Sequence, residues 1–429
     1  METLTVIAFG IAFFTLIMVS VALHEIGHMV PAKLFGVRVP RYFVGFGPTL
    51  WSTRRGDTEY GIKGFPLGGF VQLLGMYPPR PDGRRRRTRL ADFADAARDA
   101  EWEDITPDDV ANQRLFYQKK TWQKLIVMAG GPMMNLLIAF FLLLGVTAGY
   151  GVVRPQTTIA YVQQCIITDA SRTECSASDP KSPAAQAGLQ VGDRIVSFNG
   201  TPISSYSQLS GLIRANLGGE ARITVERNGQ TVDLTPVHTV VSSVPGTLDP
   251  GTRVQAGWLG VSPDRALVRG GPIDVLSDMW TMTAQSAVAL VQFPARVWNV
   301  VADMVTGQPR SPYDPISIVG ASTVAGQVVA SGEVSWPDKI ATFVSLLASV
   351  NLFLALFNFI PLPPLDGGHI AGALYEGAKR RLAKLFGRRD PGFFDTARLL
   401  PVAYAVGGLL LLSGVALILA DIISPVQIF

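Results

Sequence analysis

Eighteen residues in a row, Val6 to Leu23, carry no charge, and the residues that end the run are His24-Glu25-Ile26-Gly27-His28. As a helix such a run reaches about 27 Å, close to the roughly 30 Å of a bilayer's hydrocarbon core. Two imidazoles and a carboxylate therefore sit at the edge of what reads as a membrane span, where ionisable groups are costly and normally mark function. A cleavable leader is the alternative, but no basic residues precede the run and no A-x-A site follows it.

Three further apolar stretches are long enough to cross a membrane: about Leu125 to Val153, Ala341 to Leu362 and Leu399 to Ala420. Charged residues are 16% of the chain, against about 25% in a typical soluble domain. Basic residues cluster in two places: Arg54, Arg55, Arg84 to Arg87, Arg89, Lys119, Lys120 and Lys124 after the first span, and Lys379, Arg380, Arg381, Lys384, Arg388 and Arg389 after the third. The positive-inside rule puts both loops in the cytoplasm, and the central segment and both termini outside. No nucleic-acid partner is expected from a net charge of only +4; the lipid bilayer is.

The expected organisation is a first span over 1–31, a cytoplasmic loop over 32–123 with a β-hairpin or re-entrant element, and a second span over 124–153. A folded segment over 154–240 follows, then a linker with membrane-surface helices over 241–338. A third span over 339–370, a cytoplasmic loop over 371–398 and a fourth span over 399–422 complete it. Residues 272–305 are assigned to the membrane surface because Asp274, Asp278, Arg296 and Asp303 interrupt their apolar pattern. The stretch from Pro78 to Asp109, basic and then acidic, reads as a solvated or partly disordered insertion.

The folded segment opens with a strand-like Thr158-Ile-Ala-Tyr-Val162. It continues through Ser182-Pro-Ala-Ala-Gln-Ala-Gly188-Leu and Val191-Gly-Asp-Arg-Ile-Val-Ser-Phe-Asn-Gly200, then a helical stretch from Ser207 to Ala215. Strands near Arg222–Arg227 and Thr231–Val237 flank Asn228-Gly229, a hairpin signal. This order resembles a PDZ domain, which binds extended peptide as an added strand; plain obstruction of access to the membrane part is the other reading. Cys165 and Cys175 lie between the first strand and the helix. If the segment lies outside the cell, the compartment permits a disulfide, and one is expected.

On a helix, His24 and His28 are one turn apart on the same face, so both rings can reach one metal ion. Neutral imidazole suits zinc, and Glu25 is placed to take a proton from metal-bound water. Gly27 keeps that helix face slim for a close neighbour. A third ligand is needed, and Asp366 in Asn358-Phe-Ile-Pro-Leu-Pro-Pro-Leu-Asp366-Gly-Gly-His369 is the best candidate, because the topology brings the end of the third span to the depth of the two histidines. His369 is a weaker rival, and His238 is expected to be uninvolved.

Taken with Phe43-Val-Gly-Phe-Gly47-Pro, Glu59-Tyr-Gly-Ile, Pro66-Leu-Gly-Gly-Phe-Val71, Ala129-Gly-Gly-Pro-Met-Met-Asn135 and Pro315-Ile-Ser-Ile, these motifs make the chain resemble a site-2 protease. The likeness is to the bacterial kind with one PDZ domain, similar to the actinobacterial (mycobacterial-type) regulators of intramembrane proteolysis. The residues from Met76 to Arg114 depart from the family pattern. The resemblance implies a multi-pass α-helical membrane protein with four transmembrane helices, a cytoplasmic membrane-associated β-loop and an extracytoplasmic PDZ (α+β) domain. It implies one zinc ion per chain on His24, His28 and Asp366, with Glu25 as general base. Gly68, Gly69 and Phe70 would lie in a re-entrant β-loop that clamps substrate as a strand. Asn135, Asn351 and Asn358 resemble polar residues near the active site, with interhelical hydrogen bonding as their other possible role.

The activity so implied is hydrolysis of single-span membrane proteins such as anti-sigma factors, after an upstream site-1-type protease has cut them, at the plasma membrane. A PDZ membrane adaptor with an inactive metal site, and a tethered protease acting on soluble peptides, are the rival readings.

Overall fold

The computed structural model describes residues 2–79, 89–167, 174–311, 313–331 and 334–426. The Arg84 to Arg87 run lies outside them. The chain divides into two compact units, one of Met1–Val146 with Ile273–Phe429, the other of Thr147–Pro272.

The first unit begins with α1 (Glu2–Leu34), β1 (Arg41–Arg55), β2 (Thr58–Gln72), α2 (Arg89–Trp102), α3 (Pro107–Ala111) and α4 (Thr121–Leu144). The second unit contains β3 (Val152–Val162), α5 (Pro183–Ala187), β4 (Arg194–Phe198), β5 (Thr201–Pro202), α6 (Tyr206–Ala215), β6 (Glu220–Ala221), β7 (Ile223–Arg227) and β8 (Gln230–Asp233). It ends with β9 (Val237–His238), β10 (Val240–Pro245), β11 (Arg253–Trp258) and β12 (Val261–Val268). The first unit resumes with α7 (Pro272–Thr306), α8 (Ile318–Ala330), α9 (Trp336–Asn358), α10 (Asp366–Leu385) and α11 (Leu400–Ile423).

Five helical segments among the described residues are long and apolar enough to cross a membrane: Thr3–Leu34, Thr121–Tyr150, Pro272–Thr306, Trp336–Asn358 and Thr396–Ile423. Four of them correspond to the expected spans; the fifth, α7, which the sequence assigns to the membrane surface, qualifies by length and composition alone, because it is one continuous 35-residue helix whose charges leave an apolar window. The expected third span is also divided. Its helix stops at Asn358, and Pro361, Pro363 and Pro364 fill the stretch before α10 opens at Asp366, because proline supplies no amide to continue the ladder.

The centre of the first unit is the crossing of α1 and α4. Pro31, inside α1, has no N–H to bond the Gly27 carbonyl one turn back, and that freed oxygen faces Gly130 of α4. A Cβ on Gly130 would lie 2.0 Å from it, and a Cβ on Gly27 would lie 2.3 Å from the Gly130 oxygen. The slim face expected at Gly27 is thus filled by backbone. On its other side α1 packs Phe13 and Ile17 against Ala325 of α8 and Leu347 of α9. Lys124 of α4 and Glu376 of α10 form a buried ion pair at 2.9 Å.

Residues 89–109, expected to be solvated or partly disordered, are ordered as α2 and α3. Glu101 of α2 accepts from three consecutive amides, Gly75, Met76 and Tyr77, at 2.9, 2.8 and 2.9 Å, and Arg98 bonds Asp395 at 2.6 Å. Three orphan amides at the end of β2 thereby find one acceptor, a need that composition alone does not signal.

The second unit is a sheet in the order β12-β3-β4-β7-β8, with β5 beside β4, over a core that includes Ile159, Ile195, Phe198, Leu209, Ile223 and Leu259. It extends beyond the expected 154–240 because β10 pairs with β11 and β12 pairs with β3. Ser182 caps α5 by accepting from Ala185, and Gly188 closes it at φ 81°, which accounts for the Ser-Pro-Ala…Ala-Gly spacing. Asn228 and Gly229, at φ 53° and 77°, make the hairpin turn between β7 and β8. Cys165 and Cys175 are bonded, with Cα atoms 5.9 Å apart.

Asp193, almost fully buried, accepts from Arg227 Nε at 2.7 Å and Nη2 at 2.8 Å and from the Gln190 amide at 2.8 Å. Burial alone would raise this carboxyl, but Arg227 and the amide outweigh it and hold it below the usual carboxylate range. A depressed folded-state pKa stabilises the unit above the unfolded value, and that contribution is lost as pH falls through the folded one. Arg227→Ala is therefore expected to cost about 2 kcal/mol at neutral pH, read as roughly 30-fold faster amide exchange in β4 and β7. The difference from the parent chain should shrink as pH falls below the usual carboxylate range; a pH-independent difference would exclude this origin.

Candidate metal centre

His24 and His28 are placed by helix periodicity, one turn apart on the face of α1 that meets α4. Their Nε2 atoms lie 3.2 Å apart. The Asp366 Oδ2 atom lies 3.2 Å from the first and 3.3 Å from the second. His24, His28 and Asp366 are the group among the described residues whose donor atoms could hold a metal ion.

Two of the three, His28 and Asp366, are held by neighbours outside the cluster. His28 Nδ1 donates to the Val127 carbonyl of α4 at 2.8 Å, which leaves Nε2 as the bare nitrogen. Asp366 begins α10, and Gly367 and Gly368 let the preceding loop fold onto that start. A Cβ on Gly367 would lie 2.2 Å from the Ile360 oxygen, and one on Gly368 would lie 2.7 Å from the Pro363 nitrogen. Asp366 Oδ2 is buried and accepts no hydrogen bond. Space beside the imidazoles comes from Gly131 of α4, where a Cβ would lie 2.2 Å from His28 Nε2 and 2.6 Å from His24 Nε2.

This arrangement fits zinc. Two imidazole nitrogens and one carboxylate oxygen are a catalytic zinc donor set that leaves a fourth position open. With bonds of about 2.0–2.1 Å, neighbouring ligands of a tetrahedral ion lie about 3.3–3.4 Å apart, and the three observed separations are 3.2, 3.2 and 3.3 Å.

Glu25, next to His24 on α1, turns toward the sheet of β1 and β2. Within that sheet Val44 pairs with both Ile62 and Gly69, and Phe43 with both Gly61 and Phe70, so the first strand is flanked on both sides and the Gly69–Gln72 segment forms a border. A Cβ on Gly69 would lie 3.3 Å from Glu25 Cγ, and the carboxylate neighbours the Val71 amide. Tyr42 ties β1 to α1 by donating to the Ala22 carbonyl at 2.9 Å. Burial, with Glu25 nearby, pushes its hydroxyl up to about 12, so it remains a donor at neutral pH.

The three asparagines differ in their surroundings. Asn351 is fully buried and donates to Ser20 Oγ of α1 at 3.1 Å and to Leu347 O at 2.9 Å, an interhelical bond. Asn358 donates to Leu354 O of its own helix at 3.0 Å. Asn135 is buried, and its Oδ1 accepts no bond. His369 stands outside the ligand cluster and lines a cavity of about 530 Å³ with Pro363, Pro364 and Tyr404. His238 lies in the second unit and bonds the Gly218 oxygen at 3.1 Å.

Sequence reasoning missed Val127 and Tyr42, and it quoted Gly131 and the second glycine after Asp366 within motifs without giving either a role. Val127 acts through its carbonyl, and Gly131 through the absence of a side chain. The signal that could have found Gly131 is the Gly130-Gly131 pair midway along an apolar stretch, a mark of close helix packing.

The sequence pattern of peptidase family M50 matches residues 12–389. Zinc metalloprotease Rip1 of Mycobacterium tuberculosis is 35% identical over 98% of both chains. The protein of the same name from Mycolicibacterium smegmatis is 34% identical over the same shares. Metalloprotease MmpA of Caulobacter vibrioides is 28% identical over 85% of each. The chain belongs to peptidase family M50, the site-2 proteases, and is a membrane zinc metalloprotease of that family.

Gly131→Ala should force the imidazoles aside. Purified protein is then expected to lose zinc to a chelator at least about tenfold more readily than the parent chain, measured by metal content after timed dialysis. Unchanged retention would show that the space beside the rings is not needed.

Proposed function

We propose that the chain cuts single-span membrane proteins within or near the bilayer, with one zinc ion held by His24, His28 and Asp366 and with Glu25 as general base. The observation that carries this reading is the near-equal spacing of three buried donor atoms, one of them an orphaned carboxylate oxygen. Bound there, zinc supplies a Lewis acid that polarises a carbonyl oxygen and acidifies water. Glu25 takes the proton of the attacking water and returns it to the leaving amine.

A helical substrate hides its scissile carbonyl in the hydrogen-bond ladder, so it must be held extended. The Gly68-Gly69-Phe70 border beside Glu25 does this by pairing with substrate as a strand, and its glycines let that backbone come close to the site. Asn358 and Asn135 are the better placed of the three asparagines for substrate contact, since Asn351 already bridges two helices. The Thr147–Pro272 unit acts as a PDZ domain outside the plasma membrane, stapled by Cys165–Cys175 and screening what reaches the membrane part, while the metal site opens toward the cytoplasm. The two basic loops support that orientation. Anti-sigma factors already trimmed by a site-1-type protease are the substrate class. An adaptor with an inactive site would need neither the orphaned oxygen nor the space at Gly131.

Glu25→Gln keeps all three ligands and removes the base. Co-expressed with single-span candidates, that variant is expected to retain stoichiometric zinc and to cleave about 10²–10⁴-fold more slowly. Cleavage at the parent rate would sink the proposed role of Glu25, and a zinc-free parent chain would sink the ligand set.

A further inference from the structure

Helix α10 has two faces with different tasks. Gly372, Ala373 and Glu376 are buried against the first unit, where Lys124 holds Glu376 at 2.9 Å and the Phe394 amide donates to it at 3.0 Å. The opposite side carries Leu374, Ala378, Leu382 and Leu385. At about 100° per residue these positions form one stripe, and the three leucines are 53%, 54% and 77% exposed. A stripe of that kind needs an apolar partner.

Its borders identify the partner. Lys379 flanks the stripe on one side and Arg381 and Lys384 on the other, with Arg388 and Arg389 just beyond the helix, all exposed. Arg380 turns instead toward Glu376 and Asp390, at 3.6 and 3.4 Å. Among the described residues, Arg381, Lys384, Arg388 and Arg389 make no ion pair. An apolar stripe bordered by unpaired cations is the pattern of a helix lying in a membrane interface, with its leucines among acyl chains and its cations at headgroup depth. The charge is too dense for α10 to enter the hydrocarbon. Only seven residues, 359–365, separate its start from the end of the apolar α9, and its far end leads to the apolar Thr396–Ile423 segment. A nucleic acid would leave the leucines uncovered. Anionic lipid satisfies both parts of the surface, and each cation near such a surface favours it about fivefold.

We propose that the outer face of α10 docks onto an anionic lipid surface, and that the docked helix steadies Asp366, its first residue, at the metal site. The second half rests on the ligand set proposed above. The docking energy acts on a short rigid element, clamped on one face by Lys124 and on the other by headgroups. Lipid charge thereby sets how firmly the carboxylate stays within reach of the imidazoles.

The two native cysteines are bonded to each other, so Leu385→Cys provides a unique site for a fluorophore in the full chain. The protein is placed in bilayers of fixed composition, phosphatidylcholine with phosphatidylglycerol, with bromine carried on one lipid or the other. Quenching per brominated lipid is expected to be roughly twofold or more stronger from phosphatidylglycerol, and the preference should disappear in K379Q/R381Q/K384Q but persist in K379R/R381K/K384R. In parallel, the unlabelled chain should lose zinc to a chelator several-fold faster in pure phosphatidylcholine, and the glutamine variant should lose it at that faster rate in both membranes. Equal quenching by the two lipids would overturn the docking with the ligand set untouched. Zinc loss indifferent to lipid charge would overturn the coupling to Asp366. A chain without zinc in either membrane would overturn the ligand set instead, while the quenching would still report on docking.

Discussion

Two imidazole nitrogens and one carboxylate oxygen, 3.2–3.3 Å apart and largely out of water, repel one another through their lone pairs unless a proton or a metal ion lies among them. Much of the first unit can be read as scaffolding for that one unfavourable convergence. The Val127 carbonyl holds one ring proton on the outer nitrogen, and the two glycines after Asp366 let the loop behind it fold tightly. A burial that would be costly for polar groups alone becomes favourable once a cation joins them.

The scaffolding relies on backbone more than on side chains. A proline in α1 frees the Gly27 carbonyl, a glycine in α4 receives it, and the next glycine in α4 leaves room for the rings. Close backbone approach is how helices pack when lipid offers them no hydrophobic drive to associate. Here the same approach brings Val127 within reach of His28. Packing and site geometry are therefore one arrangement, and a larger residue at either glycine would disturb both together.

That division explains what could be read in advance. His24, His28 and Asp366 announce themselves because their side-chain chemistry is conspicuous beside apolar runs, and the helical spacing of the histidines places their rings on one face. The structure brings all three together. The extent of α7 was less legible, since its aspartates interrupt the apolar pattern, and a sum over its length hides one continuous 35-residue helix. The order of residues 89–109 was hidden for a different reason. It depends on Glu101 meeting three amides far away in sequence, and tertiary satisfaction of that kind leaves no periodic trace. Asn351 was expected near substrate or between helices, and its bond to Ser20 favours the second.

The second unit enters and leaves the chain through adjacent strand ends. Val152 is paired with Val268, and the Gly270 amide donates to the Thr147 carbonyl at 3.1 Å. A module whose two ends meet can be lodged in a host chain, or lifted from it, at the small entropic expense of closing a short loop. Such architecture leaves the chemistry of the membrane part independent of what is lodged between Val146 and Ile273.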